Sequence, residues 1–257
     1  MTHVKAAPAR WGGFSLYKHP TLTICQIFPN RTTNNQPDFV MKTSVYLDDR
    51  RMPVEIVFAK KCHLEFLDHW RCSEDVEDDP HVSDSLEFCH RASKRWRYYR
   101  SLNDAAISPE QLRKKIRANP KAEIAFLLLV IAEWHEPSRI LGFCFCRRTW
   151  CNHLALDFMA VHPSAAGPGE RHISGVGTAL ISAMLRLARQ LKIKTIWGEA
   201  TCNSNGFYRK VFGLKGVSDY FIIKRSAMRY FLSHYKPTAS RRHRKQRQQQ
   251  LPLAKAA

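Results

Sequence analysis

Gly175 and Gly177 stand one residue apart in HISGVGTALISAMLRLARQ (172–190), directly before a long apolar-periodic run. The first turn of a helix leaves backbone N–H groups unpaired at the positive end of the macrodipole. Glycines at that spot let an anion reach those groups. Two glycines also serve a plain turn, and on this stretch alone both readings stand. A dinucleotide fingerprint would need a small residue where Leu180 stands, and the Gly-Lys-Ser/Thr of a triphosphate loop is missing.

Two carboxylates fall inside apolar, strand-like runs: Asp157 in HLALDFMAVHP (153–163) and Glu199 in KTIWGEAT (194–201). A carboxylate there is costly unless it is paired or solvated. Strand alternation puts Asp157 on the face of Ala155, Met159 and Val161, and Glu199 on the face of Trp197 and Thr201. An ion pair that holds the strands and a role in proton transfer both remain open. Cys62, His63, His69, Cys72, Cys89 and His90 suggest a metal set, but they form no C-x2-C pair, so no metal is expected. Cys144 and Cys146 share one strand face and read as small core residues. Cys202 has no paired histidine motif that would make it a nucleophile.

These residues need elements to position them. PVEIVFA (53–59) reads as a strand, CHLEFLDHWRC (62–72) has helical spacing, and DSLEFCHRASKRWRYYRSL (84–102) reads as a helix after an acidic loop. SPEQLRKKIRANP (108–120) carries a serine cap, proline at the first helical position and a proline stop. EIAFLLLVIAEW, RILGFCFCRRTW and HLALDFMAVHP, with short breaks between them, make an antiparallel meander. The glycine-led helix buries Val176, Leu180, Ile181, Met184, Ala188 and Leu191 and leaves Arg186, Arg189 and Lys192 outside. A strand at 194–201, a short helix in NSNGFYRKVFGL (203–214) ended near Gly213, and one or two final strands in 216–232 complete the chain. The order is that of a mixed α/β sheet, mostly antiparallel, flanked by helices.

Bulk properties bound the class. The 257 residues suffice for a real core, and AFLLLVIA is too short to span a bilayer. The opening MTHVKAAPARWGG lacks the apolar core of a signal peptide, and eight cysteines then read as reduced thiols in a cytoplasmic protein. The net charge is +19, and part of it lies in the apolar-free SRRHRKQRQQQ (240–250). That tail suits nucleic-acid or ribosome contact through counterion release, or simple solubility. RASKRWRYYR (91–100) has the composition to stack on bases, but reads better as an amphipathic helix whose aromatics line an acceptor site.

The succession LDFMAVHP, then HISGVGTAL, then WGEATCNSNGFYRKVFGL resembles the GNAT superfamily of N-acetyltransferases, over about residues 53–232. The resemblance implies a GNAT fold with splayed middle strands, and acetyl-coenzyme A (acetyl-CoA) as cosubstrate. Together with the local composition it divides the chain into an irregular N-terminal extension (1–50) with room for one or two short strands, an acetyltransferase domain (51–235) and a basic disordered tail (236–257). Met159, Ala160 and Val161 would meet the pantetheine arm, and Ser174, Gly175, Val176, Gly177 and Thr178 the pyrophosphate. His172 occupies a position where the family usually has Gln or Arg. Thr201 takes the slot of a family Asn, with Asn203 and Ser204 as further polar contacts. Tyr208 holds the family's tyrosine position and would protonate the leaving thiolate, with Asp157 or Glu199 as base. The acceptor would be an amine, on a small molecule, a protein or an RNA. Two rivals share this fold: a nucleic-acid- or ribosome-associated binding protein with little catalysis, and a toxin-like enzyme acting on aminoacyl-tRNA.

Overall fold

The computed structural model describes residues 40–72, 78–136, 138–166 and 173–235. The tail 236–257, most of the stretch 1–50, and His172 lie outside the described residues.

Strand β1 (Val40–Leu47) pairs antiparallel with β2 (Arg50–Phe58) along its whole length. The turn between them is Asp48–Asp49, with Asp48 at a φ of 53°. The expected boundary at residue 50 therefore cuts a hairpin. Residues 40–50 belong to the sheet, because a two-residue turn joins them to a strand that the apolar pattern already marked.

Helices α1 (Lys61–Asp68) and α2 (Pro80–Ser101) follow. Asp79 caps α2 by accepting from the His81 amide at 2.7 Å, with Pro80 behind it. The helix thus begins at an Asp-Pro pair, four residues before the expected start, and takes in Pro80, His81, Val82 and Ser83. Strand β3 (Ala105–Ala106) leads to α3 (Pro109–Ala118), where Ser108 caps as expected, accepting from the Gln111 amide at 3.1 Å. Strands β4 (Ile124–Ile131), β5 (Ile140–Arg148) and β6 (Leu154–Val161) form the antiparallel meander. Strand β7 (Ile173–Ser174) returns to β1, and α4 (Val176–Gln190) starts at once. Then come β8 (Thr195–Glu199), α5 (Asn205–Phe212), β9 (Tyr220–Lys224) and α6 (Arg225–His234). The final segment supplies one of the one or two expected strands, followed by a helix. Ala227, Met228, Phe231 and Leu232 sit at helical spacing, and Met228 and Phe231 are buried.

The sheet order is β7-β1-β2-β4-β5-β6-β8-β9, with β3 beside β4. Among the described residues only β6–β8 and β3–β4 pair parallel. Every residue of β4 is buried, as suits a strand covered on both faces. One face packs on α4, whose Val176, Leu180, Ile181, Met184 and Ala188 join Cys144, Cys146, Leu154 and Leu156 in the main core. The other face carries Phe143, against Trp70 after α1, and Phe145 and Phe158, against Tyr99 and Phe88 of α2. Among the described residues no helix is long and apolar enough to cross a membrane.

Candidate active site

Strands β6 and β8 pair at only three positions, Leu154↔Ile196, Ala155↔Trp197 and Leu156↔Gly198. Beyond them, Phe158 to Val161 pair with β5 alone among the described residues, so β6 offers an open backbone edge over the sequence that includes Met159, Ala160 and Val161. Gly198 marks the last contact: a Cβ there would lie 2.7 Å from the Leu156 carbonyl oxygen and 2.8 Å from the Phe221 ring. Only glycine lets the strands meet there before they part.

Helix α4 starts across this opening. Gly175 takes a left-handed φ of 91° and no side chain caps the helix. The first helical bond runs from the Ala179 amide to the Gly175 carbonyl at 2.9 Å, which leaves the Val176, Gly177 and Thr178 amides without helical partners. The Ser174 hydroxyl, next to them, is buried and has no hydrogen-bond partner among the described residues. Gly177 faces the Phe207 ring of α5, 3.2 Å from where a Cβ would be. An uncapped helix start, a glycine that must be glycine and an orphaned hydroxyl together suit an anionic group such as a pyrophosphate.

Tyr208 lies on α5, 4% exposed, with its ring centroid 4.2 Å from that of Phe221. Burial, with Cys144 and Cys146 of β5 close by, pushes its phenol far above the ordinary value, so it stays protonated. Thr201, Asn203 and Ser204 form a knot at the start of α5. Thr201 donates to Asp84 of α2 at 3.0 Å, Asn203 donates to the same oxygen at 2.9 Å, and the Thr201 amide donates to Ser204 at 2.9 Å. Glu199 is exposed at the end of β8, in register with Tyr220, one residue past the last β6–β8 pair.

Asp157 is placed differently from what strict alternation would give. Phe145 pairs with Phe158 and Cys146 with Leu156, so Asp157 is the extra residue of a β-bulge. Asp157 and Phe158 therefore both face α2, while Met159 and Val161 pack with Leu154 and Leu156 on the α4 side. The Asp157 carboxylate accepts two bonds from Arg147, one of them 2.8 Å long, and one from Arg95 at 3.3 Å. Arg147 also pairs with Glu123 at 2.9 Å, and Glu123 accepts from the Tyr99 hydroxyl. The hydrogen bonds to Asp157 raise Arg147 above the usual guanidinium value. Burial and the bond to Glu123 push Tyr99 up to about 12. Burial would raise Glu123, but the bonds from Tyr99 and Arg147 outweigh it and hold the carboxyl low.

Arg147, Arg95 and Glu123 escaped the sequence reading, although a carboxylate in an apolar strand opposite Arg147-Arg148 was the signal for them. A second unforeseen cluster sits where β6 ends. The Ser164 hydroxyl lies 2.9 Å from His162 Nδ1 and 3.2 Å from His135 Nε2, and His135 Nδ1 meets the Ser138 carbonyl at 2.5 Å. Burial and the neighbouring His135 push His162 down to about 4. No spacing in the sequence announced this contact, since the two histidines come from different turns.

Residues 93–214 match the model of the acetyltransferase (GNAT) family. The chain matches no curated protein. Among solved structures it is similar to the PaiA N-acetyltransferase from Thermoplasma acidophilum in complex with coenzyme A, at 17% identity over 67% of this chain and 99% of that one, with a TM-score of 0.39. A GNAT-family acetyltransferase from Staphylococcus aureus Mu50 is 14% identical over 66% and 98%, with a TM-score of 0.38. Nourseothricin acetyltransferase is 18% identical over 39% of this chain and 65% of its own length, with a TM-score of 0.29.

Proposed function

Since residues 93–214 match the model of the acetyltransferase (GNAT) family, we infer that the protein moves an acetyl group from acetyl-CoA to an amine by direct transfer. One observation carries the reading: the open edge of β6 after Leu156 lies in the chain segment that leads to the uncapped, glycine-led start of α4. A strand edge and an anion cradle are what an amide-bearing arm with a pyrophosphate needs. When bound, acetyl-CoA supplies a thioester carbonyl open to attack and a thiolate that can leave.

The chain's own groups then divide the work. The Met159, Ala160 and Val161 backbone pairs the arm as an added strand. The Val176, Gly177 and Thr178 amides hold the pyrophosphate, with Ser174 donating beside them. An attacking amine must be neutral. Glu199, exposed where the strands part, takes its proton. The nitrogen bonds to the acetyl carbon, the carbon–sulfur bond breaks, Tyr208 gives its proton to the sulfur, and the surplus proton that leaves the new amide nitrogen restores the phenol. Asp157 is a positioning residue, because its carboxylate is already held by two arginines. Thr201, Asn203 and Ser204 tie α5 to α2 through Asp84 and so set where Tyr208 stands.

Calorimetric titration with coenzyme A tests the cradle, and thiol release from acetyl-CoA across an amine panel tests the transfer. Binding with amine-dependent release is expected. A flat titration would overturn the reading.

A further inference from the structure

The acetyl-transfer site leaves unexplained a basic, aromatic end of the molecule. Between Arg91 and Lys121 the chain carries ten Lys and Arg against two acidic residues, Asp104 and Glu110. This stretch is the second half of α2, the connection through β3, and α3. Lys94, Arg100, Lys114, Arg117 and Lys121 are exposed, as is Arg97, which pairs with Asp68. Tyr98 is 59% exposed, although its neighbour Tyr99 turns inward onto Phe145.

The hairpin tip between β5 and β6 reaches the same end. Arg148 donates to the carbonyls of Pro120 and Ala122, at 2.6 and 2.9 Å, which ties the tip to the segment that follows α3. On this tip Trp150 is 70% exposed. The tip is firmly built: the Thr149 and Asn152 amides donate to the His153 and Thr149 carbonyls, both at 2.9 Å, and Arg148 Nε donates to Asn152 at 3.1 Å. A large aromatic held out on a fixed turn, at an end of the molecule that also carries the exposed Tyr98 ring and a surplus of positive charge, is a stacking platform with a phosphate-attracting surround.

We propose that this end, formed by α2, α3 and the Trp150 hairpin, binds single-stranded nucleic acid. The rings require unstacked bases, which a duplex does not offer. An acidic protein would use the charge and leave the exposed indole without a role. The surface is separate from the β6–β8 opening, so the proposal does not depend on the transfer reaction.

The test is fluorescence anisotropy of a labelled oligouridine 15-mer with the full chain, at several salt concentrations, beside an RNA duplex of equal length and polyglutamate. Trp150→Ala should weaken oligouridine binding by about tenfold, since one base no longer stacks. Replacing Lys114, Arg117 and Lys121 by Glu should weaken it further and lower the slope of log K against log salt by about 2, at roughly 0.7 for each phosphate no longer neutralised. The duplex should be indifferent to Trp150→Ala. Binding that both variants leave unchanged would move the interaction elsewhere on the chain and overturn the proposal. So would absence of oligouridine binding, or equal affinity for polyglutamate.

Discussion

Arg147 holds Asp157 from the neighbouring strand with two of its nitrogens, at a bulge where β6 carries one residue more than β5. Asp157 is 8% and Arg147 18% exposed at the side chain, so this is a largely buried pair rather than a surface one. Removing one partner of such a pair costs about 3 kcal/mol where the other charge is left uncompensated, and Glu123, which still meets Arg147, brings that to about 2 kcal/mol here. Asp157→Asn should therefore lower unfolding free energy by about that amount in urea titration. The surviving enzyme should keep most of its rate of thiol release. Glu199→Gln should do the reverse, with stability nearly unchanged and thiol release slowed by about 100-fold. If the rate collapses in Asp157→Asn instead, the base has been assigned to the wrong strand.

The left-handed φ of 91° at Gly175 has a parallel in Gly213, at 64°, which ends α5. Alanine at either position should cost about 1–2 kcal/mol of stability, since a Cβ opposes that conformation. Only Gly175→Ala disturbs the amides that start α4. Calorimetry should find coenzyme A binding about tenfold weaker in Gly175→Ala, as one charge-assisted hydrogen bond is worth that much. Gly213→Ala should bind as the parent does.

Tyr208→Phe removes a proton donor while keeping the ring between Phe207, Phe212 and Phe221. Thiol release should slow by about 100-fold or more at saturating substrates, with KM for acetyl-CoA little changed. Thermal unfolding should move only slightly. Because burial holds the phenol above its ordinary range, the alkaline limb of the parent's pH–rate profile below pH 10 belongs to other groups. A rate equal to the parent's would remove Tyr208 from the chemistry.

Stability itself should depend on pH through His162. In the unfolded chain the imidazole titrates near 6.5, and in the folded chain burial beside His135 lowers it to about 4. Between those values the unfolded state binds a proton that the folded state refuses. The contribution is fully present above pH 6.5 and is lost as the pH falls towards 4, up to about 3 kcal/mol. His162→Asn keeps an acceptor for the Ser164 amide but cannot titrate, so its urea midpoint should fall less steeply over that window.

Much of the architecture was legible because it rests on local pattern. The period of α4, the meander from β4 to β6, and the caps at Ser108 and Gly213 all follow from spacing within a few residues. So did the glycine-led start of α4, since Gly175 and Gly177 stand one residue apart in the chain. The features that escaped are non-local or break a period. The bulge at Asp157 cannot be seen from β6 alone, because it is defined by what β5 offers opposite. The links from Arg95 to Asp157 and from Thr201 to Asp84 span 62 and 117 residues of sequence. The segment of helix α6 fits a strand as well in sequence, because a short apolar run suits either period until its packing partner is known.

The bulge also sets a phase. Upstream of Asp157 the odd-numbered positions of β6 look towards α2, and downstream the even-numbered ones do, as Phe158 shows. The strand therefore reads as two segments in different frames, joined by a single residue out of step. Substitution at Asp157 changes one charge, whereas deletion would restore strict alternation and rotate one half of the strand. Either Leu154 and Leu156 would leave the α4 side, or Met159 and Val161 would, and with them the edge that faces the opening. In this strand, length carries information that composition does not.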